Sequence, residues 1–109
     1  MAEKCIIPND WEKFLDDLSK KIKAMDEAVE IDIVAPSVFE GEEAKGLQLV
    51  GISYDPKDKV VSVFCEVLDH LINKPQEICV EDENGAIKEI RITDGSGLEH
   101  FIKFSKPVA

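Results

Sequence analysis

The sequence predicts an α+β fold: one amphipathic N-terminal helix packed on a strongly curved antiparallel sheet of five or six strands. Three observations lead there. Apolar residues recur at three- and four-residue steps through Trp11, Phe14, Leu15, Leu18, Ile22 and Met25, which is the spacing of one helix face. From Val29 onward the apolar period falls to two, as in half-buried strands. Turn residues then punctuate the chain at short intervals, at Asp55-Pro56-Lys57-Asp58, Lys74-Pro75, Asn84-Gly85 and Asp94-Gly95-Ser96-Gly97. A small Sm-like or SH3-like barrel with an N-terminal helix is the alternative.

The helix is expected from about Asp10 to Met25, with Asn9 as N-cap and Glu12 completing a capping box after Pro8. The first strand follows in the segment AVEIDIVA, where Val29, Ile31 and Ile33 alternate with Glu30 and Asp32. Pro36 ends it, and residues 37–45 read as a polar, Glu-rich connection. The second strand spans Leu47 to Tyr54: Leu47 and Leu49 point one way, Val50, Ile52 and Tyr54 the other, and Gly51 invites a bulge between them. Asp55 to Asp58 suits a type I turn, with Asp first and Pro second.

The third strand, Val60 to Val67, is apolar on both faces and therefore reads as central, covered from both directions. Leu68 to Asn73 reads as a single helical turn between the third and fourth strands, stopped by Lys74-Pro75. The fourth strand lies near Glu77 to Glu83, Asn84-Gly85 is a two-residue hairpin signal, and the fifth strand runs from Ala86 to Thr93. Leu98 to Phe104 closes the fold. A chain of 109 residues carrying one such pattern is expected to form a single domain over 1–109.

Charge narrows the partners. With 13 Lys and Arg against 23 Asp and Glu, the net charge is -10, so neither nucleic acid nor an anionic membrane surface is an expected partner. Asp26 to Glu43 holds seven carboxylates and no Lys or Arg, and Glu81, Asp82 and Glu83 form a second acidic concentration. Such stretches are ordinarily solvated faces; a basic protein surface or a second copy is the partner they would suit. No apolar run approaches the ~20 residues of a membrane helix. The start, Met-Ala-Glu-Lys-Cys followed by two apolar residues and Pro8, does not read as a signal peptide. Three cysteines, Cys5, Cys65 and Cys79, lack scaffold spacing, so no disulfide framework and a cytoplasmic location are expected.

Few residues offer chemistry. Asp69-His70 sets a carboxylate beside an imidazole, although neighbours on a helical turn diverge by ~100°. Cys65, His70, Cys79 and His100 are zinc-ligand types, but no Cys-x(2–4)-Cys pair exists. Cys79, on the outer face of its strand, is the expected reactive thiol. The acidic turns at Asp82 and Asp94 fail the calcium-loop pattern, since Val80 and Arg91 stand where acids are required. No phosphate-binding glycine loop and no Gly-x-Ser-x-Gly elbow occurs. Trp11 is expected to anchor the helix to the core.

Gly51 to Asp58, Leu68-Asp69-His70-Leu71-Ile72 and the closing Ile92-Thr93-Asp94-Gly95 turn, taken with the helix near Trp11, resemble a family of small single-domain bacterial and archaeal proteins catalogued as a domain of unknown function. That resemblance covers nearly the whole chain and transfers no active site. The sequence therefore predicts a non-enzymatic protein-interaction or regulatory module with an acidic surface, without cofactor, metal or catalytic residue. The alternative is a small-molecule-binding protein or an enzyme with a pocket between helix and sheet near Tyr54, Asp69 and His70.

Overall fold

The apolar stripe of the helix decides the layering, because Trp11, Leu15, Leu18 and Ile22 can be dried only by lying on a sheet. The computed structural model describes residues 2–35 and 43–109. In chain order these form β1 (Ala2–Ile6), a 3-10 turn (Pro8–Asp10), α1 (Trp11–Lys23), β2 (Val29–Val34), β3 (Glu43–Asp55), β4 (Val60–Cys65), β5 (Asp69–Asn73), β6 (Glu77–Glu83), β7 (Ala86–Thr93) and β8 (Glu99–Val108). The strands make one antiparallel sheet in the order β1-β6-β7-β8-β2-β3-β4-β5, and α1 lies across β3. The fold is α+β with the expected helix, but the sheet has eight strands rather than five or six.

Both additional strands occupy edges. β1 is a five-residue segment running antiparallel to β6, a pairing nothing local announces. β5 replaces the expected helical turn. Leu68, Leu71 and Ile72 have helical spacing, yet the chain pairs with β4, burying Ile72 while Asp69, Leu71 and Asn73 stay exposed. Lys74, whose φ of 50° lies in the left-handed region, ends the strand. The sheet is unclosed, with β1 and β5 as its two ends, so the barrel alternative does not hold.

Other expectations shift in detail. The chain reaches α1 through the 3-10 turn, with Asp10 rather than Asn9 at the cap and no side-chain capping bond. The helix stops at Lys23, which leaves Met25 exposed. Trp11 does anchor it: its Nε1 donates to the Ile6 carbonyl at 2.9 Å, and its ring meets Tyr54 edge-on at 5.4 Å. The register of β3 against β4 slips between Leu49 and Gly51, where a bulge was expected. The slip changes the phase of the strand, so Leu49 and Ile52 both face the core and Val50 is turned out to solvent.

Beyond the slip, Ser19 of α1 accepts from the Ile52 amide at 2.9 Å and donates to its carbonyl, so a helix side chain serves where a strand would. Asn84 and Gly85 both adopt positive φ, as a primed two-residue hairpin turn demands. The expected cover on both sides of β4 is half present. Val61, Val63 and Cys65 are buried, whereas Phe64 on the outer face is 38% exposed. The polar connection over 37–45 falls mostly outside the described residues; Glu43 to Lys45 belong to β3.

Candidate functional site

Asp94, His100 and His70 form a hydrogen-bonded chain that begins in the turn between β7 and β8. Asp-Gly-Ser-Gly-Leu folds around its own first carboxylate: Asp94 Oδ1 accepts from the Ser96 amide at 2.8 Å and the Leu98 amide at 3.0 Å. This leaves Oδ2 aimed at His100 Nε2, 2.8 Å away. His100 is 2% exposed and is the buried polar residue of the described core. Its Nδ1 lies 2.9 Å from Nε2 of His70 on β5, with the two rings 5.1 Å apart and tilted by 48°. Three strands separate β8 from β5 in the sheet, so the curl of the sheet brings the two imidazoles together.

The chain sets its own proton positions. An ionised carboxylate only accepts, so neutral His100 carries its proton on Nε2 and offers a lone pair at Nδ1. His70 must then donate from Nε2, which leaves its Nδ1 as a lone pair. That atom has no hydrogen-bond partner among the described residues. Among the described residues no buried side-chain nitrogen or oxygen lacks a partner, so His70 Nδ1 reaches solvent. Burial, then the neighbouring His100, lower the His70 pKa below its ordinary value. At Asp94 burial acts upward, but the bonds from His100, Leu98 and Ser96 outweigh it and hold the carboxyl below the ordinary carboxylate range.

Beside the chain lies a cleft of about 440 Å³ lined by Leu71, Asn73, Lys74, Asp94, Ser96 and His100. Its two walls, the β5–β6 and β7–β8 turns, touch closely. The Gly95 amide donates to the Asn73 carbonyl at 3.1 Å, and a Cβ on Gly95 would stand 2.8 Å from that of Lys74. Glycine at 95 is what lets the turns meet.

The residues singled out from sequence divide. His70 belongs to the chain. Asp69 does not, because on a strand adjacent side chains point to opposite faces, and Asp69 sits exposed opposite Phe64. Tyr54 packs on Trp11 and opposes Val61, whereas His70 opposes Val63. Cys79 is not a free thiol: it is fully buried and disulfide-bonded to Cys5, its direct cross-strand neighbour. The disulfide escaped the sequence reading because β1 itself did. Cys65 is free and buried, and burial, followed by the charge of Asp69, raises its pKa. The set Cys65, His70, Cys79 and His100 does not gather as a metal site; among the described residues the group of metal-ligand types that converges is Glu3, Cys5 and Cys79. Asp94 and His100 were missed as partners. Their signal was a carboxylate-centred Gly-rich turn followed by His at the start of the return strand.

No helix among the described residues is long and apolar enough to cross a membrane. The chain is 38% identical over 109 residues to an uncharacterized protein of Aquifex aeolicus (strain VF5), an alignment covering 99% of this chain and 96% of that protein. No solved structure matches it. The profile of a family of unknown function, DUF5335, matches residues 2–109, and the chain belongs to that family.

Proposed function

We propose that the protein binds a small ligand at the Asp94–His100–His70 chain and that His70 Nδ1 accepts a proton from it. The observation that carries this reading is the hydrogen-bond chain itself, which ends in one solvent-facing lone pair. When His70 takes a proton at Nδ1, its Nε2–H still donates to His100, and the Asp94 carboxylate stabilises the positive charge through the intervening ring. The 440 Å³ cleft alongside, which Asp94 and His100 line and His70 does not, is of the size that holds small metabolites, and Lys74 gives it a cationic wall suited to an anionic group. This is the small-molecule alternative, moved from Tyr54 and Asp69 to Asp94 and His100. Single-domain organisation over 1–109 and a cytoplasmic location belong to the same proposal.

Two measurements test it. Nitrogen-15 spectra of the histidine rings at neutral pH are expected to show His70 unprotonated at Nδ1 and His100 protonated at Nε2; the opposite tautomer at His70 would end the reading. Native mass spectrometry of untagged protein, purified without chelators, is expected to show a small bound mass that is lost on His70→Ala. A mass unchanged by that substitution counts against the site.

A second reading, the interaction module, is favoured by a specific observation. The outer face of β3, β4 and β5 exposes Val50, Phe64 and Leu71, and the β4–β5 connection adds Val67 at 78% exposure and Leu68. Apolar side chains gathered at a sheet edge suit a strand-pairing partner, and the net charge of -10 suits a basic one. Sedimentation of wild type against a Phe64→Ser/Leu71→Ser double variant separates self-association from a monomer.

A further inference from the structure

We infer that Cys5, Cys79 and Glu3, once the disulfide is reduced, form a zinc-binding site on the outer face of β1 and β6. Cys5 and Cys79 are directly opposed across the ladder, with Cα atoms 3.8 Å apart. Glu3 lies two residues before Cys5 and therefore on the same face. The ligand atoms of all three already lie within 4.8 Å of one another. A tetrahedral zinc with Zn–S near 2.3 Å holds two sulfurs about 3.8 Å apart, a spacing within reach of two side chains whose Cα atoms stand 3.8 Å apart. Opening the S–S bond and rotating the two side chains therefore suffices, with both strands kept in register.

Burial divides the labour. Cys79 is fully buried, whereas Cys5 and Glu3 are exposed, so a reductant and then a metal reach the site from the Cys5 side. A dithiol reductant delivers two electrons and two protons to the Cys5–Cys79 bond and is itself oxidised to a disulfide. Zinc then displaces both thiol protons, forming two Zn–S bonds and a Zn–O bond to Glu3, and a water completes the tetrahedron. Two thiolates and one carboxylate around Zn²⁺ leave a net charge of -1. The Arg91 guanidinium, 3.2 Å from Glu3 Oε1, stands beside that anionic complex and keeps Glu77 at 2.9 Å and Glu99 at 3.0 Å when Glu3 turns to the metal. The disulfide and the metal exclude each other, so the same pair of cysteines fixes β1 to β6 under oxidising conditions and binds zinc under reducing ones. The site is independent of the His70 chain.

The test uses the full chain, reduced anaerobically with a phosphine that is then removed, and Zn²⁺ or Co²⁺ alone as the probe. One equivalent of zinc is expected in the reduced protein, with release of about two protons, and none in the oxidised protein. Co²⁺ should give thiolate charge-transfer and tetrahedral ligand-field bands. Cys5→Ser should remove them, Glu3→Gln should weaken zinc binding on the order of tenfold, and Cys65→Ala should change nothing. Reduced protein that binds no more zinc than Cys5→Ser overturns the proposal. So does a Glu3→Gln variant that binds unchanged, which would show that Glu3 is not a ligand, and so does loss of binding in Cys65→Ala.

Discussion

Replacing Asp94 by Asn should reverse the proton order of the whole histidine chain. The amide that Asp94→Asn introduces keeps its carbonyl oxygen under the Ser96 and Leu98 amides, because an NH₂ group cannot accept from them. It then presents N–H to His100 Nε2, which must become an acceptor. His100 moves its proton to Nδ1 and donates to His70 Nε2, and His70 in turn carries its proton on Nδ1, where the lone pair had been. A single-atom change 6 residues from His100 and 24 from His70 thus blocks the solvent-facing base. The stability cost is modest. Two backbone bonds survive, and one partly buried, charge-assisted bond becomes a neutral one, a loss of about 1 kcal/mol, or a Tm fall of roughly 5 °C in a chain of this size. Asp94→Ala removes all three bonds and leaves a buried ring N–H unpaired, at about 3 kcal/mol and roughly 15 °C. The assay is the nitrogen-15 spectrum: His70 Nδ1 should change from a pyridine-like to a pyrrole-like resonance in Asp94→Asn while the fold persists. If that resonance stays where it is, the two histidines do not share a proton order, and the proposed base loses its support.

Acid should weaken the fold in two steps. The His70 pKa is lowered on folding, so its contribution is complete above the unfolded value of ~6.5 and declines as pH falls from there through the folded pKa. Asp94, also lowered, contributes above its unfolded value of ~3.9 and loses that contribution as pH falls through its folded pKa. Urea midpoints measured from pH 8 to 2 should show the first step vanish in His70→Ala and the second shrink in Asp94→Asn. Cys5→Ala removes a crosslink spanning 74 residues and should cost about 4 kcal/mol by loop entropy, read as the difference from wild type in non-reducing urea melts. Gly95→Ala forces a Cβ to within 2.8 Å of Lys74 Cβ and 3.3 Å of its carbonyl; a loss of about 1–3 kcal/mol and displaced His70 and His100 ring resonances are expected. Ser19→Ala leaves both backbone groups of Ile52 without a partner and should cost about 1–3 kcal/mol in the same melts.

The helix and the inner strands were legible because each announces itself by local periodicity: Trp11 to Ile22 at helical steps, Val29 to Ile33 at period two, Gly51 at the bulge and Asn84-Gly85 at the hairpin. What failed was non-local. β1 exists only because β6, more than 70 residues away, presents an edge for it, and with β1 went the disulfide and the outer-face donor cluster. β5 was misread because Leu68, Leu71 and Ile72 satisfy a helical spacing that pairing with β4 overrides. That single misreading also set the wrong carboxylate beside His70. On a helical turn Asp69 and His70 could be weighed as neighbours; on a strand they face opposite ways, and the carboxylate that orients His70 comes from Asp94, through a ring 30 residues further along.

The order of the sheet also sets a timetable for synthesis. β2 lies between β3 and β8, with Ile31 opposite Phe104, and β1 waits for β6. β1 therefore leaves the ribosome long before its partner exists, and β2, although β3 follows it directly, long before β8. At roughly 5–20 residues per second, Cys5 is made some 4 to 15 seconds before Cys79. During that interval its thiol is unpaired and its strand unshielded, and pairings this distant in sequence place the chain among slow folders. Nascent protein is thus most open to mixed disulfides, and to chaperones that shield bare strand edges, before its last hairpin is translated.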